Sequence, residues 1–211
     1  MNDAYKDYGW HEGAVWSHQY LTPVVEAMLV GEQRRTILDL GCGNGALACR
    51  LLGQGFDVYG SDASESGIAV ANASHPRHFF VQNIDSGALP DALAAIPFDT
   101  VISTEVIEHL YAPRAYMALV RSVLKKRGGE LILSTPYHGY LKNLALAAAG
   151  RMDDHFTALW DGGHIKFWSR RTLTALLGEF GFEVREFRGA GRAPWLWKSM
   201  VVRAVIGAGG E

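Results

Sequence analysis

Cysteine is scarce in this sequence, and it has neither a long apolar run nor an excess of one charge. The two cysteines, Cys42 and Cys49, are too few for a disulfide framework, which fits a reducing compartment. The longest apolar stretch, residues 144–149, is far below the roughly 20 residues that a membrane-spanning helix requires. The first residues hold no apolar run, so we expect no signal peptide and a cytoplasmic protein. The net charge of −2 gives no general attraction to nucleic acid.

Short apolar runs alternate with helical segments along most of the 211 residues, a length that suits one domain. This alternation predicts an α/β fold in which helices cover both faces of a parallel sheet. Ser64 and Ser169 are candidate helix N-caps. Strands are predicted at residues 36–40, 57–61, 79–82, 100–104, 130–134, 183–188 and 200–205, and helices at about 45–52, 64–73, 115–124 and 169–180.

Residues 136–168 interrupt this alternation, because they are rich in His, Trp and Phe and show no clean period. Long irregular segments inside compact α/β domains are often lids or binding loops. All six tryptophans lie outside residues 36–136, which fits either an aromatic substrate pocket or aromatic side chains that fix loops to the domain. We therefore divide the single domain, residues 1–211, into an N-terminal cap (1–35), a core (36–135), a lid insert (136–168), and a last helix with two strands (169–211).

A glycine-rich loop joins the first predicted strand to the first predicted helix. The sequence there is LDLGCGNG, residues 38–45, and Asp62 ends the next strand. Glycines let the backbone turn sharply and approach a ligand, and a helix N-terminus favours an anion. An acid at the end of the second strand can accept hydrogen bonds from a ribose. A nicotinamide cofactor is one alternative, since Gly41, Gly43 and Ala46 satisfy its looser G-x-G-x-x-G/A pattern.

The longer string resembles the first motif of class I S-adenosylmethionine-dependent methyltransferases. Residues 98–110, FDTVISTEVIEHL, resemble the fourth-strand segment of the same family. The resemblance runs from about residue 36 to 189 and is closest to the ubiquinone-biosynthesis O-methyltransferases. It implies a Rossmann-like, seven-stranded, mostly parallel sheet whose last strand is antiparallel, and it implies S-adenosylmethionine as cofactor. The cofactor-binding residues it implies are Asp39, Gly41, Cys42, Gly43, Asp62, Ala63, Asn83, Ile84, Asp85, Thr104 and Glu105.

Two histidines are candidate catalytic bases, since imidazole titrates near neutrality. His164 lies in a segment that resembles G-t-H-d-x-K-K-F of the ubiquinone group, and His109 follows the fourth strand. Glu105, Glu108 and His109 have the spacing i, i+3, i+4, which places three side chains on one face of a helix. The same E-x-x-E-H pattern is associated with a divalent metal in some relatives. The sequence thus offers a Mg²⁺ or Mn²⁺ site as an alternative to plain packing of these side chains.

The expected reaction is O-methylation of a phenolic or other hydroxyl on an apolar or aromatic small molecule. Alternatives are N- or carboxyl-methylation of a metabolite, nucleic-acid 2′-O-methylation, and an inactive cofactor-binding partner. We expect no nucleic acid as partner, since the Asn/Asp-Pro-Pro-Tyr string of base-modifying enzymes is absent after the fourth strand. Tryptophans and cations in residues 194–203 raise peripheral membrane contact as a further alternative, although a last strand fits them better. The oligomeric state stays open.

Overall fold

A computed structural model of the chain describes residues 17–29, 35–124, 128–156 and 158–207. Most of the N-terminal cap, with Trp10 and Trp16, lies outside these residues. The described helices are α1 (His18–Met28), α2 (Ala46–Gly53), α3 (Glu65–Ser74), α4 (Asp91–Ala94), α5 (Pro113–Val123), α6 (Tyr140–Ala148), α7 (Asp153–Phe156) and α8 (Arg170–Glu179). Two 3₁₀ turns, Ile84–Ser86 and Ile107–His109, follow the third and fourth strands.

Seven strands form one sheet in the order β3-β2-β1-β4-β5-β7-β6. Among the described strands, β7 alone runs antiparallel, and it pairs with β5 and β6. This confirms the fold class that the sequence predicts. The strands are β1 (Thr36–Leu40), β2 (Asp57–Asp62), β3 (Phe79–Val81), β4 (Thr100–Thr104), β5 (Glu130–Pro136), β6 (Phe182–Ala190) and β7 (Ser199–Ile206).

Alternating side chains of the central strands supply two separate cores, one on each face of the sheet. Leu38, Leu40 and Val101 pack on one face, which α4, α5 and α8 cover. Ile37 and Ile102 point to the opposite face, which α1, α2 and α3 cover. Because both faces are buried, the strands carry almost continuous apolar runs, as parallel strands do.

The carboxyl ends of the parallel strands meet at one edge of the sheet, where ligands bind in open α/β folds. β1 pairs with β2 on one side and with β4 on the other, so the strand order reverses there. The glycine loop leaves β1 at this point, and Asp62 ends the neighbouring strand. The 3₁₀ turn at Ile107–His109 follows β4 at the same edge.

The insert between β5 and α8 contains two helices that its sequence does not predict. Helix α6 carries exposed Tyr140, Leu141 and Leu144, and its buried residue is Lys142. A helix whose apolar side chains face outward while a lysine is buried has no amphipathic stripe in the usual sense. The spacing of its apolar residues therefore does not predict a helix here.

Residues 194–203 form a turn followed by the start of β7, and not an interfacial helix. Trp197 packs against Tyr137 and Phe187, with ring centroids 5.1 and 5.8 Å away. Trp195 is more than half exposed in the same turn. In the part of the chain that the structure describes, no helix is both long and apolar enough to cross a bilayer.

Replacing Gly41 by alanine is expected to destabilise the fold, whereas the matched change at Gly53 is not. Gly41 has φ +83°, and an added Cβ would lie 2.4 Å from Cγ2 of Val106. The left-handed backbone alone costs an L-residue about 1–2 kcal/mol. Gly53 ends α2 with open space around it, so Gly53→Ala should be neutral or slightly stabilising. Urea unfolding of both variants measures the difference, and equal stability of the two would contradict the strain argument.

Candidate active site

Three glycines of the loop after β1 adopt a left-handed backbone conformation that residues with a side chain rarely adopt. Gly41, Gly43 and Gly45 all have positive φ, at 83°, 56° and 73°. The backbone N–H groups of Gly41 and Cys42 both donate to the carbonyl oxygen of Ser61, at 2.8 and 3.0 Å. The loop is thus fixed to the end of β2.

The Asp62 carboxylate holds the same loop from the other side. Its Oδ2 accepts the N–H of Gly43 and its Oδ1 accepts the N–H of Ser64, both at 2.8 Å. Burial raises the pKa of Asp62, while these backbone donors oppose the rise. Ser64 in turn caps α3 by accepting the N–H of Gly67 at 3.0 Å. One side chain therefore couples the glycine loop to the start of α3.

Asp39 is a second acid beneath the loop, and it is almost fully buried. Burial raises its pKa to about 7, and the negative charge of Asp62 adds to the rise. Its Oδ1 has no hydrogen-bond partner among the described residues. A buried carboxylate in this state is stabilised by a cationic ligand, because the ligand's charge replaces the lost hydration.

A cavity of about 1050 Å³ opens along this edge of the sheet. It reaches from the glycine loop to the insert, where His164 and Trp160 line it beside His109. Residues after all of the first four strands contribute to its wall. Every residue that the resemblance implies for cofactor binding lines this cavity: Asp39, Gly41, Cys42, Gly43, Asp62, Ala63, Asn83, Ile84, Asp85, Thr104 and Glu105.

Glu105 differs from the role that its sequence spacing suggests. Its φ is +55°, and it precedes the 3₁₀ turn that begins at Ile107, so it does not share a helix face with Glu108 and His109. Its carboxylate accepts the hydroxyls of Ser134 at 2.7 Å and Ser199 at 3.0 Å. Burial raises the pKa of Glu105, against the effect of these two donors. The expected triad of Glu105, Glu108 and His109 is therefore not assembled.

The ligand atoms that do come together belong to Glu108, His109 and His164, which lie within 4.8 Å of one another. The side chain of Glu108 is completely buried, and its Oε2 accepts the Thr135 hydroxyl at 3.1 Å. Its Oε1 has no hydrogen-bond partner among the described residues and lies 4.0 Å from Nε2 of His164. Burial raises the pKa of Glu108, and the neighbouring Glu105 adds to that rise.

Backbone hydrogen bonds bring His164 to this cluster across a long stretch of chain. The N–H groups of Ile165 and Lys166 both donate to the carbonyl oxygen of Glu108, at 2.9 Å. Nδ1 of His109 lies 2.9 Å from the carbonyl oxygen of Gly162, which fits an Nδ1–H tautomer with the lone pair on Nε2. The insert is thus attached to the turn after β4 at two consecutive residues.

The histidines of the insert are uncharged near neutral pH. Burial lowers the pKa of His164 to about 4, and nearby His109, His155 and Lys142 add to the effect. Burial likewise lowers the pKa of His138 to about 3 and that of His155 to about 4. A neutral imidazole can accept a proton or bind a metal.

Several residues of the cavity wall carry no motif in the sequence. His18 begins α1, Phe156 ends α7, and Tyr111 directly follows the family-like segment 98–110. The position of Tyr111 next to that segment is the one signal that could have identified it. Of the tryptophans in the described residues, Trp160 alone lines the cavity. Trp197 instead packs against Tyr137. The tryptophans therefore serve both as pocket wall and as packing between segments of the chain.

Comparison with known proteins places this site in a family. The sequence profile described as "Methyltransferase domain" matches residues 15–186. A ubiquinone biosynthesis O-methyltransferase from Dinoroseobacter shibae is 33% identical over 159 residues, covering 72% of this chain. Its counterpart from Roseobacter denitrificans is 34% identical over 169 residues, covering 77% of this chain. The matched region spans 62% of the length of the first relative and 66% of the second.

Solved structures agree with this assignment. Magnesium protoporphyrin IX methyltransferase from Synechocystis, crystallised with bound SAH, has a TM-score of 0.68 and 25% identity, covering 92% of this chain and 90% of that one. The PH0226 protein from Pyrococcus horikoshii has the same fold, with a TM-score of 0.66 at 20% identity and coverage of 90% and 89%. Together with the glycine loop and its two acids, these matches show that the chain belongs to the methyltransferase domain family, in the S-adenosylmethionine-dependent class that its sequence resembles.

Proposed function

We propose that this chain transfers the methyl group of S-adenosylmethionine to a phenolic or other hydroxyl group of a small molecule. The observation that carries the proposal is the continuous cavity of about 1050 Å³ between the glycine loop and the histidines of the insert. It has room for a cofactor and an acceptor together, since pockets for drug-sized ligands occupy about 300–1,000 Å³. The ubiquinone biosynthesis relatives, named as O-methyltransferases, support the choice of oxygen as acceptor atom.

The cofactor half of the cavity offers one chemical partner for each part of S-adenosylmethionine. Asp39 would bind the ammonium group of the methionine, and Asp62 with Ala63 would bind the ribose. Asn83, Ile84 and Asp85 would bind the adenine. The side-chain oxygen Oδ1 of Asn83 already accepts one hydrogen bond, from the N–H of Asp85 at 3.0 Å.

The acceptor half lies under the insert, residues 136–168. Tyr111, Phe156 and Trp160 line it and are all substantially exposed to the cavity or solvent, at 84%, 40% and 44%. Flat aromatic walls suit an aromatic acceptor. Holding its oxygen in line with the carbon–sulfur bond supplies much of the rate enhancement that positioning can give.

His164 is the group that takes the proton. As the new O–CH₃ bond forms and the S–CH₃ bond breaks, the hydroxyl proton becomes strongly acidic and passes to Nε2 of His164. S-adenosylhomocysteine is the second product. Although a pKa of about 4 makes His164 a weak base, it keeps the imidazole neutral and ready to accept a proton at neutral pH. His109 supports the position of the insert through Gly162.

The same cluster fits a divalent cation, which is a second candidate role. Oε1 of Glu108 is buried without a partner among the described residues, and two imidazoles lie within ligand distance of it. One carboxylate and two imidazoles suit Mn²⁺ or a later transition metal better than Mg²⁺. When bound, such an ion would lower the pKa of an acceptor hydroxyl. His164 would then be a ligand, and its lone pair would no longer accept the proton.

Asp39→Asn should stabilise the ligand-free protein at pH 8 and weaken S-adenosylhomocysteine binding. The folded-state pKa of Asp39, about 7, lies above its unfolded value, so its ionisation lowers stability as pH rises from about 4 to 7. The uncharged amide removes that loss, and it also removes the partner of the ligand's ammonium group. Urea unfolding at pH 5 and pH 8 and calorimetry with S-adenosylhomocysteine measure the two effects. Asp57→Asn, at an exposed site, is the control, and equal behaviour of the two variants would refute the role of Asp39.

His164→Ala should lower the turnover rate by roughly 10²-fold if His164 is the base. Affinity for S-adenosylhomocysteine should stay near that of the wild type, because His164 lies in the acceptor half of the cavity. Raising the pH should partly restore the rate, since solvent then ionises a phenolic acceptor. Single-turnover assays across pH test this, with His75→Ala, outside the cavity, as control. Wild-type turnover in the His164 variant would rule out the proton transfer.

Manganese binding distinguishes the two roles of the cluster. Glu108→Gln should abolish binding of Mn²⁺ observed by electron paramagnetic resonance, whereas Glu105→Gln should retain it, because Ser134 and Ser199 bind the Glu105 carboxylate. Chelator should remove activity and Mn²⁺ should restore it if the ion takes part. Full activity in excess chelator together with no resonance signal for bound Mn²⁺ would exclude the metal.

A further inference from the structure

A smaller cavity of about 340 Å³ adjoins the acceptor half of the main cavity. The two cavities share Glu105 and His164 in their walls, so a molecule whose hydroxyl lies at His164 borders both. The side chains that distinguish the smaller cavity are cationic: Lys142, Arg151, Arg192 and Lys198. We call it the basic side cavity.

Two of these cations, Lys142 and Arg192, differ from most other cations of the described chain. Along the described chain, arginines commonly pair with a carboxylate, as in Arg50–Glu26, Arg114–Glu179, Arg185–Glu183, Arg188–Glu186 and Arg203–Glu130. Neither Lys142 nor Arg192 has such an ion pair within the described residues. The acid in the wall of the same cavity is Glu105, which opposes the lowering of the Lys142 pKa by burial and whose carboxylate already accepts two serine hydroxyls.

Lys142 is the most unusual of the four, because it is a buried lysine on the otherwise outward-facing helix α6. Its Nζ donates to the carbonyl oxygens of Tyr137 at 2.9 Å and Lys198 at 3.2 Å. An ammonium group has three donors, so one remains for a ligand in the cavity that it lines. Burial lowers the pKa of Lys142 to about 8, and the positive charge of Arg192 adds to the effect.

Mutual repulsion of these cations means that an anion in the basic side cavity would be stabilised by several charges at once. Arg192 also lowers the pKa of Lys198, after the effect of desolvation. His155 also lines the cavity and adds no positive charge, since burial lowers its pKa to about 4. The cavity is thus a preorganised site for negative charge beside the proposed methyl acceptor.

We infer that the acceptor carries an anionic substituent, such as a carboxylate, which the basic side cavity binds while the hydroxyl lies at His164. This inference rests on the proposed O-methylation and adds the charge of the substrate to it. A recess of about 340 Å³ takes one small anionic group with its spacer. It does not form an extended basic stripe of the kind that nucleic acids require, and the net charge of the chain is −2.

Matched ligand pairs test the inference by binding alone. Protocatechuate and dihydrocaffeate are catechols that carry a carboxylate on a short and a longer spacer, and each has an uncharged amide of the same shape. Calorimetry on the wild type loaded with S-adenosylhomocysteine should show that at least one acid binds tenfold or more tightly than its amide. Arg192→Ala and Lys198→Gln should each remove most of that preference, and Arg192→Lys should restore part of it. Arg171→Ala, an exposed arginine on α8, should retain it.

The outcomes separate this inference from the proposed function. Equal affinity for acid and amide, or no measurable binding of either, overturns the anion site. Tighter binding of a short RNA that is lost in Arg192→Ala also overturns it, because the cations would then serve a polyanion. Mass spectrometry of the same mixtures with S-adenosylmethionine detects methyl transfer. A clear preference for the acid without any methylated product would leave the anion site standing and refute O-methylation of these phenols.

Discussion

The carbonyl oxygen of Glu108 accepts two consecutive backbone N–H groups, and the cavity wall that the insert forms depends on this contact. Ile165 and Lys166 are the donors, each at 2.9 Å, more than fifty residues along the chain. Their attachment places His164 beside the turn after β4 and closes the insert over the cavity. Without it, the edge of the sheet would present a cofactor site with no second wall. Backbone groups form the contact, so many side chains of the insert can change while its position is kept.

Desolvated acids form the floor of the site. Asp39, Glu105 and Glu108 are all buried at the carboxyl edge of the sheet, and burial raises the pKa of each. In the ligand-free protein this arrangement costs stability at neutral pH, because the folded state holds protons that the unfolded chain releases. A cationic ligand that binds at this edge would offset that cost. Groups whose pKa values are shifted in this way are common at functional sites.

The sequence predicts the central strands, the glycine loop and the start of α8 because each depends on local backbone preferences. The strands β1, β4 and β5 are apolar runs that stop at glycine or polar residues, and the loop glycines adopt the positive φ that only glycine tolerates easily. Ser169 caps α8 as its position suggests, with its side chain accepting the N–H of Thr172. Each of these features depends on residues close together in the chain, so a single sequence contains the information.

The side-chain cluster at Glu108 and helix α6 could not be predicted from the sequence, because both depend on contacts between residues far apart in the chain. Spacing alone suggested that Glu105, Glu108 and His109 share a helix face, but the positive φ of Glu105 and its bonds to Ser134 and Ser199 turn it away. The third residue of the cluster is instead His164, which lies near the C-terminal end of the insert. The sequence did not predict helix α6, because its one buried residue is a lysine, Lys142. The carbonyl oxygens of Tyr137 and Lys198, next to β5 and β7, accept hydrogen bonds from its Nζ.

The reversed direction of β7 has a practical consequence for how this protein can be joined to other molecules. Ser199 pairs with Pro136 at the ligand-binding edge, whereas Val205 pairs with Glu130 at the opposite edge. The strand therefore begins beside the cavity and carries the chain away from it, along the whole length of β5. An affinity tag, a fluorescent reporter or a surface linker attached beyond Ile206 would start about seven residues of strand, or roughly 20 Å, from the pocket mouth. Immobilisation through that end leaves the entrance free for ligands in solution.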